Sequence, residues 1–291
     1  MPQFYFRNRI TKLHYTAFFK RSQAKDPLKC VRVRNLSNFN EKSAEFLINI
    51  FRSAAYNKLV EKITITQSGF DGLYMSYLYG KVKEKFSYLP AHAALQKDGD
   101  RTVLDFQTEK KYCPYVRRYA EENISDIVAV GYKYRFFKDR LRLPLLSERE
   151  QRLLFTALAA ADLQDDREIV SRAFKGFEAY CLDGVYHFRL RDLKKRWEEI
   201  ADYISSDFGP QSLDGFIGFL VSDGTGKTYI KDGKAYDERY RVLTKSALTG
   251  ERSLIGEILL CGAEQVYCFG DVDGATKDFL LKFYKEKAVF C

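Results

Sequence analysis

The pattern of apolar positions predicts a run of helices in the centre of the chain. From Pro114 onward, apolar residues recur at helical spacing, and a proline suits the first turn of a helix. Ser147 and Glu150 form the S-x-x-E pattern of a capping box before another apolar stripe. A further helix is predicted from about Val170 to the Asp183-Gly184 turn. The centre of the chain is therefore expected to be helical.

Residues 183–204 are the most informative part of this centre. From Leu190 the apolar residues fall on one helical stripe, which includes Trp197, the only tryptophan of the protein. The charges of this helix oppose its macrodipole, because basic side chains crowd its N-terminal end and acidic ones follow. We interpret four of these cations as a partner-binding cluster: Arg189, Arg191, Lys194 and Lys195. Two alternatives stay open, in which Arg189 pairs with an internal carboxylate and the lysines form ordinary i, i+4 pairs with Glu198 and Glu199.

The flanks of the helical centre combine short strands with helices, so the predicted fold class is mixed α/β. The C-terminal part predicts a β-hairpin followed by an α-β-α-β unit, whose last two strands are free to be parallel. We place a soft domain boundary near residue 108, between a basic α/β segment (1–108) and the remainder (109–291), although one domain is also compatible. The expected N-terminal elements are strands at 4–6, 30–33, 63–66 and 102–106 and helices at 13–21, 40–59 and 71–89. The expected C-terminal elements are a hairpin of strands 216–221 and 227–230, helices at 253–261 and 274–285, and strands at 265–269 and 288–290.

The net charge of +9 is concentrated at the N-terminus. Residues 1–34 contain nine Lys and Arg against one Asp, a net charge of +8, which leaves +1 for the other 257 residues. Aromatic side chains interleave with these cations, a composition that suits polyanion binding by phosphate neutralisation and stacking. A basic α/β segment with solvated cations explains the same composition. The candidate polyanion-binding residues are Arg7, Arg9, Lys12, Lys20, Arg21, Arg32 and Arg34.

Two motifs resemble catalytic loops without completing them. Gly224-Thr225-Gly226-Lys227-Thr228 lacks the earlier glycine of a P-loop and is followed by strand and turn residues, so a hairpin turn is the better interpretation. Asp271-Val272-Asp273-Gly274 resembles the aspartyl nucleophile loop of haloacid-dehalogenase-type phosphatases. Only 15 residues follow Thr276, too few for that family's downstream elements, and Asp273 is explained as a helix N-cap.

Nothing else in the sequence supports an enzyme, a metal site or a cofactor. The six cysteines form no C-x-x-C pair, and the three histidines lie far apart. We therefore assign no catalytic residues, metal or cofactor. No apolar run reaches the length of a membrane span, and the first residues lack the order of a secretory signal, so we expect a cytoplasmic protein.

One stretch resembles a known family. The phrase Gly184-Val185-Tyr186-His187-Phe188-Arg189-Leu190-Arg191-Asp192-Leu193, with the elements on either side of it, looks like the YtxC-like family of sporulation proteins, whose signature starts a long helix. The resemblance covers roughly residues 120–291 and implies a sporulation association without an assigned chemistry. The expected function is partner binding by a sporulation-associated cytoplasmic protein. The alternatives are nucleic-acid or polyanion binding through the N-terminal segment, and a phosphatase-like or nucleotide-using enzyme.

Overall fold

A computed structural model of the protein describes residues 60–69, 72–89, 91–174 and 179–291. These residues belong to one compact unit, which spans Tyr56–Cys291. Two four-stranded sheets and a set of helices make up this unit, so the predicted mixed α/β fold is confirmed. The strands expected at 4–6 and 30–33, the helices expected at 13–21 and 40–59, and the seven candidate polyanion-binding residues lie outside the described residues.

The first sheet has the strand order β2-β3-β1-β4. β3 pairs antiparallel with both β1 and β2, whereas β4 pairs parallel with β1. The strands expected at 63–66 and 102–106 are confirmed as parts of β1 and β3. β4 is a correction, because the sequence predicted a continuous helix where residues 179–181 form a strand. The four strands are β1 (Val60–Ser68), β2 (Ala91–Asp98), β3 (Arg101–Glu109) and β4 (Ala179–Cys181).

This sheet draws its strands from distant parts of the chain. The first three strands precede residue 110, and helix α1 (Leu73–Lys85) connects β1 to β2. The fourth strand arrives about 70 residues later, after the helical centre has been traversed. Pairing of β4 with β1 therefore joins the two sides of the proposed boundary near residue 108, and the division into two domains stays a prediction.

Among the described residues, eight helical segments lie between β3 and β5, and β4 interrupts them after the fifth. The capping box is confirmed, since the Ser147 hydroxyl accepts from the Glu150 N–H and the Glu150 carboxylate accepts from the Ser147 N–H. Gly184 does not form the expected turn, because it lies inside a helix. The segments are α2 (Cys113–Asp126), a π-helix (Ile127–Tyr132), α3 (Lys133–Arg140), α4 (Glu148–Ala160), α5 (Leu163–Phe174), α6 (Leu182–Phe188), α7 (Arg191–Tyr203) and α8 (Pro210–Ser222).

The predicted apolar stripe of α7 is confirmed as the buried face of that helix. Leu193, Trp197 and Ala201 are buried, and the Trp197 indole donates to the Asp166 carboxylate over 3.1 Å. The same carboxylate oxygen lies 2.7 Å from the ammonium of Lys133, the first residue of α3. This buried ion pair therefore links α3, α5 and α7 in the middle of the core.

The second sheet has the strand order β6-β5-β7-β8, in which β5, β7 and β8 are parallel and β6 is antiparallel. The predicted α-β-α-β unit with parallel final strands is thus confirmed. The predicted strand at 216–221 is wrong, since those residues belong to α8, where Leu213, Ile217 and Val221 are buried every four residues. The elements are β5 (Gly226–Lys231), β6 (Lys234–Tyr236), α9 (Leu254–Leu260), β7 (Ala263–Phe269), α10 (Gly274–Phe283) and β8 (Ala288–Phe290).

Across the residues that the structure describes, no helix combines the length and the apolar character needed to cross a membrane.

Candidate functional site: an open aromatic and basic sheet face

The two faces of the second sheet differ in what covers them. On one face Thr228, Ile230, Val266 and Cys268 are buried, and both α8 and α9 contact β7. The opposite face carries the alternate residues of the same strands, and its aromatic side chains are half-buried or exposed. Parallel sheets are usually covered on both sides, so an accessible face with large apolar side chains is unusual. We call this surface the open face and define it by Lys227, Tyr229, Lys231, Lys234, Tyr236, Tyr267, Phe269 and Val289.

The strand register arranges the open face in rows. Tyr229 of β5 lies opposite Tyr236 of β6 and opposite Tyr267 of β7, which in turn lies opposite Val289 of β8. Residues directly opposite each other in neighbouring strands project to the same side of a sheet. One row is therefore almost entirely aromatic.

The next row combines an aromatic ring with cations. Lys231 at the end of β5 lies opposite Lys234 of β6 and opposite Phe269 of β7. The side chain of Phe269 is 42% exposed, and both lysines are exposed as well. Cations thus border the aromatic row where β5 ends.

The rings of the open face stack on one another. The centroid of the Tyr229 ring lies 5.5 Å from that of Tyr267 and 6.3 Å from that of Phe269, at interplanar angles of 25° and 23°. Tyr229 also stacks on the ring of Tyr240, with centroids 5.0 Å apart and an angle of 18°. Offset stacking at these distances contributes about 0.5–1.5 kcal/mol per pair beyond area burial. The stack therefore fixes the orientation of four rings that remain accessible.

A strained turn positions Tyr240. The backbone of Tyr240 has a φ of 56°, in the left-handed region that a bulky side chain rarely adopts. The Asp237 carboxylate holds this turn, because its Oδ1 accepts from the N–H groups of Arg239 and Arg241, both over 2.9 Å. Tyr240 is nevertheless 70% exposed. The turn thus maintains a strained residue whose ring has little packing except against Tyr229.

The Asp237 carboxylate is held in its charged form. Burial works against ionisation of Asp237, but the backbone N–H and guanidinium of Arg241, together with the N–H of Arg239, outweigh it and lower its pKa. The Arg241 Nε lies 2.8 Å from Asp237 Oδ2. At neutral pH the turn is therefore stabilised by a full negative charge that its own donors neutralise.

The cations of the open face lack ion-pair partners among the described residues. Lys227, Lys231 and Lys234 form no ion pair there, and Arg239 beside the Tyr240 turn forms none either. The Glu238 carboxylate accepts from the backbone N–H of Lys227 over 3.1 Å and does not pair with its ammonium. These ammonium groups consequently remain available for an external anion.

The predicted partner-binding cluster lies elsewhere, where α6 ends and α7 begins. Arg189, Arg191 and Lys195 are exposed, so the structure brings these three onto accessible surface. Lys194 is half-buried, with its ammonium 5.2 Å from the centroid of the Tyr186 ring and 3.5 Å from the His187 carbonyl oxygen. Lys194 is thus less accessible than the other three members of the cluster, which stays a prediction.

The aromatic partner of Lys194 is itself largely withdrawn from solvent. Burial, followed by the charges of Asp139 and Glu198, raises the pKa of Tyr186 to about 12. The expected Lys194–Glu198 and Lys195–Glu199 pairs are not formed among the described ion pairs. Lys194 therefore contacts a neutral phenol and a carbonyl instead of the acidic residue one turn away.

The phosphatase-like motif serves as a helix cap. The Asp273 carboxylate accepts from the N–H and the hydroxyl of Thr276, over 2.9 and 2.7 Å, and begins α10 as expected. The Thr276 hydroxyl and N–H lower the pKa of Asp273. Asp271 is exposed, and the described residues bring together no group of three His, Cys, Asp or Glu around this pair.

Asp271 and Asp273 line a cleft of about 1180 Å³ that also reaches α4 and α9. Its walls carry charges of both signs, and several are already paired. Arg152 lies 3.3 Å from Glu251, and Lys282 lies 2.6 Å from Asp214. This balance of charges indicates no particular class of ligand.

The glycine-rich stretch before β5 is packed against β7. A Cβ on Gly224 would lie 2.6 Å from the Ala263 carbonyl oxygen, so the backbones approach too closely for a side chain. The N–H groups of Thr225 and Gly226 donate to the Gly262 carbonyl over 3.1 and 3.3 Å. In a P-loop such groups would surround phosphate. Here they hold the segment between α8 and β5 against the start of β7, so the hairpin predicted between residues 216–221 and 227–230 is wrong. A C-terminal hairpin is nevertheless present, because β5 pairs antiparallel with β6.

Comparisons with protein-family models, with curated proteins and with solved structures found no match to this chain.

The open face was missed by the sequence analysis, which assigned polyanion binding to the N-terminus. A partial signal was present. Lys227, Tyr229 and Lys231 alternate on one strand, and Gln265, Tyr267 and Phe269 alternate on another. Only the parallel register of β5 with β7 unites them, and that pairing joins residues almost 40 positions apart.

Proposed function

We propose that this chain is a polyanion-binding protein that uses the open face as its contact surface. The observation that carries the proposal is the row of lysines without ion-pair partners among the described residues, set beside stacked and accessible rings. Lysine ammonium groups neutralise phosphate or sulfate and release bound counterions, a contribution that dominates the affinity of nucleic-acid-binding proteins. The open face therefore offers cations for phosphate or sulfate groups and accessible rings beside them.

The basic N-terminal segment adds to the same proposal. Its net charge of +8 attracts the same class of ligand at long range, and its candidate residues remain Arg7, Arg9, Lys12, Lys20, Arg21, Arg32 and Arg34. Attraction of this kind speeds association and falls with ionic strength. The open face and the segment are therefore tested separately.

The experiment measures affinity for heparin and for a mixed-sequence oligonucleotide as a function of salt. For each phosphate contact that is lost, the log–log slope is expected to fall by about 0.7 to 0.9. Lys231→Glu/Lys234→Glu is expected to reduce the slope by at least this amount. Arg191→Glu/Lys195→Glu carries the same charge change on α7 and is the matched control, expected to retain the slope.

A third variant, Arg7→Glu/Arg9→Glu, tests the N-terminal residues. If only this variant changes the slope, the open face loses its assigned role and the binding belongs to the N-terminal segment. A slope near zero for the wild-type protein, with heparin and oligonucleotide alike, overturns polyanion binding altogether.

A second candidate function is protein binding through the surface where α6 meets α7. Phe188 is 71% exposed there, beside the exposed cations Arg189, Arg191 and Lys195. An apolar anchor bordered by cations fits an acidic protein surface with an apolar pocket. The resemblance of residues 184–193 to the YtxC-like family motivates a sporulation association and a cytoplasmic location for this role.

Comparison of variants tests this second function. Phe188→Ser and Arg191→Glu/Lys195→Glu are expected to lose the same acidic partner from sporulating cells, while Lys231→Glu/Lys234→Glu retains it. The purified partner is then expected to bind the wild-type chain with a salt-dependent affinity. If all variants capture the same partners as the wild-type protein, the α6–α7 surface does not bind them.

A further inference from the structure

The open face combines cations with flat rings, and this combination distinguishes among polyanions. A sulfated sugar or a DNA duplex presents charge without accessible base faces, so it would use the lysines alone. A single strand presents phosphates together with bases that stack on aromatic side chains. Tyr229, Tyr267, Phe269 and Tyr240 provide four rings in one stack, and Lys227, Lys231 and Lys234 flank them.

We infer that the open face binds single-stranded nucleic acid, with bases stacked on its rings and phosphates on its lysines. This inference rests on the proposed polyanion binding and names the class of ligand. It assigns the central role to Tyr240, whose ring ends the stack and is 70% exposed. A base that stacks on the outer side of this ring would extend the existing series of parallel planes.

The geometry of the Tyr240 turn supports a ligand-binding role. A left-handed conformation is unfavourable for a bulky residue, and such strain persists where the surroundings enforce it. Asp237 enforces it here through two backbone hydrogen bonds and a contact with the Arg241 guanidinium. The described residues bury little of the ring in return. A strained residue that presents an exposed ring over a basic surface is explained by a ligand that stacks on it.

A second copy of this chain is disfavoured by charge as the occupant of the open face. A two-fold interface is self-complementary, so packing through this face would bring two sets of Lys227, Lys231 and Lys234 into one interface. An anionic ligand complements these cations, whereas a second copy repels them.

The test compares nucleic acids that share phosphates and differ in accessible bases, with heparin as a sulfated polyanion that has no bases. Full-length protein is titrated with a fluorescent 12-nucleotide single strand, an abasic strand of the same length, a duplex of the same sequence and heparin, all at one salt concentration. Stacking contributes about 1–3 kcal/mol per base, so the abasic strand is expected to bind at least about fivefold more weakly than the intact strand.

Variants of Tyr240 provide the sharpest comparison. Tyr240→Asn tolerates the left-handed backbone and removes the ring, so it is expected to bind the intact strand about tenfold more weakly while its affinity for heparin is unchanged. Tyr240→Phe retains the ring and is expected to retain the affinity. Tyr88→Asn is the matched control, because Tyr88 is a 95% exposed tyrosine far from the second sheet in sequence.

The outcomes separate the two proposals. If intact, abasic and duplex ligands bind equally and Tyr240→Asn changes none of them, single-strand recognition is wrong while polyanion binding stands. If no ligand binds, heparin included, the proposed function itself fails. If sedimentation shows a dimer that Tyr240→Asn dissociates, the open face is a self-association surface and the inference is overturned.

Discussion

The ring of Tyr240 stacks on the ring of Tyr229, with centroids 5.0 Å apart and planes inclined by 18°. The two residues come from different elements, since Tyr229 lies on β5 and Tyr240 lies in the turn that follows β6. Their contact extends the aromatic row of the sheet beyond its strands. A residue outside the strands therefore adds a ring to the open face.

Replacement of Tyr240 by glycine is expected to leave stability nearly unchanged. Glycine adopts a φ of 56° without steric cost, which recovers about 1–2 kcal/mol, while loss of the stacked ring costs about 0.5–1.5 kcal/mol. Urea unfolding is therefore expected to show a free energy within about 1 kcal/mol of wild type. A loss above about 2 kcal/mol would mean that the ring is part of the core instead of a contact surface.

Acid is expected to weaken the turn that holds Tyr240. The folded-state pKa of Asp237 is depressed, so its stabilising contribution is present above the ordinary value of about 3.9 and is lost as pH falls through the lower folded value. Asp237→Asn removes the charge and is expected to reduce the loss of stability between pH 5 and pH 2 by up to about 1 kcal/mol. Thermal unfolding across this range checks it, and equal pH profiles for both proteins would contradict it.

The buried pair of Lys133 and Asp166 is expected to show strong coupling. Burial lowers the pKa of Lys133, and the Asp166 carboxylate 2.7 Å away opposes that effect. Among the described residues, Lys133→Met leaves the buried Asp166 side chain with the Trp197 indole as its one remaining donor, at an expected cost of about 3–5 kcal/mol. The double variant Lys133→Met/Asp166→Leu is expected to recover most of this loss. Additive losses in a denaturation cycle would show that the two charges do not depend on each other.

Asp271 and Asp273 are expected to differ in their contribution to stability, and neither is expected to support phosphatase activity. Asp273→Ala removes the cap of α10 and is expected to cost about 1 kcal/mol, whereas the exposed Asp271→Asn is expected to cost nothing measurable. Neither variant nor the wild type is expected to hydrolyse p-nitrophenyl phosphate with magnesium above the blank. Wild-type hydrolysis that Asp271→Asn abolishes would restore the phosphatase-like alternative.

Local patterns in the sequence predicted the elements that depend on local interactions. The capping box at Ser147, the N-cap at Asp273 and the buried stripe of α7 each need only residues within a few turns. The same patterns gave a wrong prediction where a short apolar run fits both the two-residue period of a strand and the 3.6-residue period of a helix. Residues 216–221 are compatible with strand and helix alike, and the four-residue spacing of Leu213, Ile217 and Val221 only becomes decisive once the buried side is known.

Strands that form through pairing with distant residues could not be predicted from local sequence patterns. β4 has three residues and exists because it pairs with β1, more than 100 positions earlier. β2 is rich in alanine, a residue with low strand preference, and is formed by its pairing with β3. The open face has the same origin, because its two aromatic strands meet only through the register of β5 with β7. The candidate site was therefore less predictable than the fold class.

The most direct test of the open face is a map of contacts to a bound single strand. The full-length protein would be photo-crosslinked to a bromouridine-substituted single strand, and the linked peptides identified by mass spectrometry. We expect crosslinks at Tyr229, Tyr240, Tyr267 or Phe269, with loss of the Tyr240 crosslink in Tyr240→Asn. Crosslinks confined to residues 1–34 or to the α6–α7 surface would contradict the account.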